Sequence, residues 1–120
     1  MGYYKGGQFW SDEQLENLTK NHVSVKVDVK SLLKATCIPC WNMNNLLDLT
    51  KEIETIINVP LDKPIILIDG IVADGCHRLV RAYLEGSQKI QAFELNSSQL
   101  PEPYYDETEA CKEQEVNTTF

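Results

Sequence analysis

The run Pro64-Ile65-Ile66-Leu67-Ile68 constrains this chain more than any other segment. Four large apolar residues in succession leave no position to face water, so they describe a strand covered on both faces. Asp69-Gly70 follows at once and predicts a tight hairpin turn into a short return strand, Ile71-Val72-Ala73. Asp74-Gly75 breaks that strand. A helix is expected from about Cys76 to Leu84, with Leu79, Val80, Tyr83 and Leu84 on its buried side and Gly86 as its C-terminal glycine. In a last strand, Ile90 to Leu95, Ile90 and Ala92 share one face, and Phe93 and Leu95 the other.

Upstream, Ser11 followed by Gln14 resembles a capping box, with Trp10 and Leu15 as the accompanying staple, and predicts a helix over 12–20. Val23, Val25, Val27 and Val29 alternate with polar residues and predict a half-buried strand. Residues 31–42 read as a connection containing Cys37-Ile38-Pro39-Cys40-Trp41. From about Asn45 to Asn58, Leu46, Leu49, Ile53, Ile56 and Ile57 recur at helical spacing, and Val59-Pro60 ends the helix. The expected fold class is α+β: a small mixed sheet with packed helices. Residues 1–10 read as a flexible lead-in, 11–99 as a single domain, and 100–120 as an acidic, disordered tail rich in Pro, Glu and Thr.

A chain of 120 residues suits one domain, and its net charge of −7 is unevenly spread. Residues 100–120 contribute −5 of it, which leaves the body nearly neutral and a poor non-specific binder of nucleic acid. No stretch approaches the roughly 20 apolar residues of a membrane span. The first seven residues lack the apolar run of a signal peptide, so a cytoplasmic location is expected. The four cysteines, Cys37, Cys40, Cys76 and Cys111, are then expected to be reduced. Asn-x-Ser/Thr triplets at Asn17, Asn96 and Asn117 are chance matches in such a compartment.

Asp74-Gly75-Cys76-His77-Arg78 carries the chemistry. A strand that ends in Asp-Gly and enters a helix points free backbone N–H groups outward, and the helix dipole favours an anion there. His77, Arg78 and Arg81 add side-chain donors, and the two arginines are the only ones in the chain. Three cationic or ionisable groups at that end oppose the dipole unless an anion compensates them. The bland alternative is that Asp74 caps the helix and both arginines are solvated.

Gly75-Cys76-His77-Arg78 resembles the Gly-Cys-His-Arg signature of sulfiredoxins. With Leu79, Ala82 and Gly86, the wider phrase is similar to the ParB/sulfiredoxin superfamily, and the element order agrees over roughly 70 residues from Val23 to Leu95. The resemblance implies a nucleotide site for ATP or CTP, with Mg²⁺ as accompanying cation. Gly75, Cys76, His77 and Arg78 would hold phosphates, helped by Arg81 and by Lys51 from the facing helix. Thr50 and Thr55 match the family's earlier helix only loosely. Asp74 would orient the metal or cap the helix, and Asp74, Cys76 and His77 are the catalytic candidates. The activity implied is phosphoryl transfer or hydrolysis by an NTPase or nuclease. A second reading is ATP-dependent reduction of a cysteine sulfinic acid, with Cys76 as the essential thiol and its thiolate favoured by position. The second basic motif and the DNA-binding region of chromosome-partitioning ParB are absent. A third reading is a catalytically inert module or inhibitor, whose acidic tail and neutral body suit binding to a basic surface on a protein partner.

Cys37 and Cys40 have redox or metal spacing. A zinc site would need Cys76 and His77 as well, a redox pair would need Cys76, and ordinary thiols need neither.

Overall fold

The computed structural model describes residues 2–39 and 41–106. The strands are β1 (Gly2–Lys5), β2 (Gln8–Ser11), β3 (Val25–Asp28), β4 (Ile65–Ile68), β5 (Ile71–Asp74), β6 (Lys89–Leu95) and β7 (Tyr105–Asp106). The helices are α1 (Asp12–Thr19), α2 (Val29–Ala35), α3 (Leu46–Asn58) and α4 (Cys76–Leu84). The larger sheet has the order β3-β6-β4-β5. β6 runs parallel to β4 and antiparallel to β3, so the sheet is mixed, as expected of this α+β chain.

All four residues of β4 are buried, and its alternation divides them between two cores. Ile65 and Leu67 join Val29, Val72, Leu79, Ala82 and Ala92 on one face. Ile66 and Ile68 join Tyr3, Trp10, Leu15 and Leu95 on the other. β6 obeys the same period: Ala92 with Ile90 packs on the first cluster, Leu95 with Phe93 on the second. Asp69 and Gly70 make the hairpin turn with φ of 53° and 80°, the left-handed pair that a two-residue hairpin requires.

The capping box of α1 forms as read: the Ser11 hydroxyl accepts from Gln14 N, and Ser11 N donates to the Gln14 side chain. Ser11→Ala should destabilise the domain by about 1 kcal/mol, seen as a lower urea midpoint. α4 ends as expected at Gly86, φ 83°, with Ser87 N bonded to Ala82 O at 2.9 Å.

Three readings are corrected. Of the expected flexible lead-in, residues 2–10 instead form β1, a turn and most of β2. Their β1–β2 hairpin joins β7 in a three-stranded sheet, because Tyr3 and Trp10 are buried against the second core. Residues 100–106 are likewise ordered against that hairpin, while 107–120 lie outside the described residues. The connection over 31–42 contains the end of α2, which starts at Val29, because the Asp28 carboxylate accepts from Ser31 N and stops β3.

Candidate functional site

β5 delivers the chain to Gly75, which adopts φ 106°, ψ 24° as the residue before α4, and Leu79 N closes the first turn on Gly75 O at 2.9 Å. No side chain caps this helix. Asp74 turns instead to Arg78, whose Nη2 donates to its Oδ2 at 2.8 Å. Arg78 Nη1 donates to Lys63 O at 3.2 Å and Pro64 O at 3.1 Å. The buried guanidinium thus ties the end of β5 and the first turn of α4 to the segment entering β4. The planar fork of arginine suits such a three-acceptor site. The expected Asp74 cap is therefore replaced by an Asp74–Arg78 ion pair.

The other two basic groups are also held internally. His77 Nε2 lies 2.7 Å from Glu52 Oε2 of α3, and the imidazole stacks on Trp41 with centroids 4.6 Å apart and planes 10° from parallel. Arg81 donates through Nε to Glu85 at 2.9 Å and through Nη1 to Val59 O, which clamps α4 to the end of α3. Arg81 falls in the last turn of α4, where a cation suits the helix dipole, so the expected opposition does not extend to it. The basic side chains of the first turn, His77 and Arg78, are met by Glu52 and Asp74, the protein's own carboxylates. The two guanidiniums do not converge on one opening.

Lys51 is exposed on α3, about 100° around the helix from Glu52, the residue that faces His77. Thr50 and Thr55 bond their hydroxyls to carbonyls one turn back in their own helix, Leu46 O and Lys51 O.

Cys76 packs against the first core. Burial, reinforced by the Asp74 carboxylate, pushes its thiol above the ordinary range, which corrects the expected thiolate. Cys37 is exposed. Maleimide should therefore label Cys37 at least tenfold faster than Cys76 at pH 7.5, measured by peptide mass. The raised thiol also stabilises the fold only in its neutral form. That contribution is intact below the ordinary thiol range and is lost as pH climbs through it toward the folded-state value. Cys40 and Cys111 lie outside the described residues. Among the described residues no three His, Cys, Asp or Glu side chains group to hold a metal. None of the described helices is long and apolar enough to cross a membrane.

The least expected surface is on α3. Ile56 is its one buried residue, 8% exposed, whereas Leu46, Leu49, Ile53 and Ile57 are 79%, 41%, 45% and 56% exposed. At 100° per residue those four form one stripe along the helix. Asp48 and Glu54 outnumber Lys51 among the charges on the rest of the helix that no α4 residue engages. On α4, Tyr83 and Leu84 are exposed where burial was expected, and Arg78 and Ala82 are buried in their place. Helical periodicity reveals an apolar stripe but not whether the fold supplies a cover for it. No family model, no curated protein and no solved structure matches this chain.

Proposed function

We propose that this chain is a protein-interaction module on a ParB/sulfiredoxin-like scaffold, docking its partner on the outer face of α3. The observation that carries this reading is the exposed stripe Leu46, Leu49, Ile53 and Ile57 on a helix anchored by Ile56. A contiguous apolar surface in a chain with net charge −7 is costly to leave in water and marks a binding face. Asp48 and Glu54 favour a partner with a basic rim around an apolar centre. The scaffold assignment is supported by the Gly-Cys-His-Arg sequence at the strand-to-helix turn and by a parallel β4–β6 pair bridged through α4. A photo-crosslinking residue at position 53 tests the reading in cells. A discrete adduct is expected, absent when Leu46 and Leu49 are both aspartate. Labelling no different from that of the same residue at Lys20 would remove it.

A second reading is a nucleotide-binding domain, in which ATP or CTP phosphates meet the amino end of α4. It is favoured by the uncapped first turn behind Gly75, whose amides are offered to no side-chain acceptor. The fit is partial. His77 is at hand, but Glu52 holds a carboxylate against it, and Arg78 and Arg81 have internal acceptors. Bound nucleotide with Mg²⁺ would supply a transferable phosphoryl group, and backbone amides 76–78 with His77 would orient it. The sulfinic-acid reductase version requires a reactive Cys76, and the raised thiol works against it. Calorimetry with ATP, CTP and GTP, with and without Mg²⁺, separates the two. Submillimolar binding abolished by His77→Ala favours the nucleotide, and none below a millimolar removes it.

A further inference from the structure

On the opposite side of the molecule, Leu100-Pro101-Glu102-Pro103 crosses the β1–β2 hairpin and the start of α1. Its conformation is dictated by its sequence. Proline fixes φ near −65° at 101 and 103, and the residues before them, Leu100 and Glu102, are driven to extended or polyproline II geometry. Leu100 has φ −68° and ψ 138°, inside that region. Such a segment makes no internal hydrogen bonds, so its carbonyls are free for a partner.

The partner is a set of side-chain donors on an aromatic floor. Trp10 Nε1 donates to Pro101 O at 2.9 Å, and Gln14 Nε2 donates to Glu102 O at 3.0 Å. Tyr104 N then donates to Phe9 O at 2.7 Å, and the chain continues into β7 against β2. Buried Tyr3 and Trp10 form the floor. The strap does not fill the groove: about 440 Å³ remains between Tyr3, Gln8 and Trp10 on one wall and Leu100, Pro101 and Pro103 on the other. Indole and amide donors that read consecutive carbonyls of a preformed proline segment, above aromatic rings, constitute the chemistry of proline-rich peptide recognition.

We propose that the groove formed by Tyr3, Trp10 and Gln14, with the Phe9 carbonyl at its end, is a recognition site for extended peptides containing Pro-x-Pro, and that Leu100–Tyr104 occupies it in cis. The strap is the site's own template. It shows the direction, the two carbonyls that are read and the strand that extends the contact, and it competes with any peptide arriving in trans. This site is separate from α3 and does not rest on the reading given above.

The test titrates a capped synthetic peptide, Leu-Pro-Glu-Pro-Tyr-Tyr, into the ¹⁵N-labelled full chain. The Trp10 indole and Gln14 side-chain N–H signals are followed in the wild type and in a Pro101→Ala/Pro103→Ala variant with a loosened strap. The expected result is a selective shift of both signals, with apparent affinity at least about tenfold higher in the variant, because the competing strap is weaker there. A peptide with both prolines replaced by alanine should bind at least about tenfold more weakly. The proposal is overturned if neither signal moves in the wild type at millimolar peptide or if the proline-free peptide binds equally. It is also overturned if the strap exchanges between two copies in a dimer that excludes the peptide. The wild-type arm keeps the test decisive should the double variant fail to fold.

Discussion

Arg78→Ala should destabilise the domain by about 3 kcal/mol or more, because it removes a buried guanidinium and strips the partner from a half-buried carboxylate and from two backbone carbonyls at once. Asp74, Lys63 O and Pro64 O all accept from this one guanidinium. Alanine would leave all three acceptors without this donor. Lysine should recover little of the loss, since a single ammonium cannot reproduce a fork that meets a carboxylate on one arm and two carbonyls on the other. Urea unfolding followed by tryptophan fluorescence measures the effect. A loss below about 1 kcal/mol for Arg78→Ala would mean that the guanidinium is not holding this corner together. The outcome also bears on function: an arginine that is chiefly a structural cross-link is poorly placed to neutralise an arriving phosphate.

Gly75→Ala should cost about as much, for a different reason. At φ 106° a Cβ would lie 2.5 Å from Ile65 Cγ2 and 3.0 Å from Ile65 Cβ. Ile65 is fully buried at the centre of the first core and cannot yield without disturbing Leu79 and Ala92. Backbone strain at a positive φ contributes about 1–3 kcal/mol, and overpacking a filled core adds about 1–3 more. The same Cβ would press within 3.1 Å of Arg78 Nη2, so the two substitutions strike one structure. Their effects should be less than additive in a double-mutant cycle. Gly70→Ala is the control: its φ is also positive, at 80°, but open space surrounds its Cβ direction, so only the strain term should appear.

Much of the central sheet was legible because period two is a local signal. The apolar run Ile65–Ile68, the Asp69-Gly70 turn and the split of Ile90 and Ala92 from Phe93 and Leu95 each follow from neighbouring residues alone. The bounds of α4 were equally legible, from Gly75 before it and Gly86 after it. Its inward face was not. Arg78 is buried and Leu84 exposed because the Lys63 and Pro64 carbonyls lie where only the fold brings them. α3 was recognisable as a helix, yet its stripe looked like a core because periodicity does not reveal whether a neighbour exists. The N-terminal hairpin was missed because Gly6-Gly7 and the aromatic residues around it gain their meaning from a strand about a hundred residues away. Of the chemically suggestive residues, the turn at 74–78 was located correctly. The internal acceptors of its side chains come from β4, α3 and the loop at Val59, so short spacing in the sequence could not announce them.

The pairing of β2 with β7 has a consequence for synthesis. Gln8 and Asp106 meet across 98 positions of sequence. Closing a span of that size carries an entropic penalty of about 4 kcal/mol by the logarithmic loop law, before any contact repays it. A nascent chain can assemble β3 to β6 while the hairpin at its front still waits for the residues that seal its outer edge. Throughout that interval β2 would keep an open edge and the Trp10 indole would lack its Pro101 acceptor, so the β2–β7 pairing would form last.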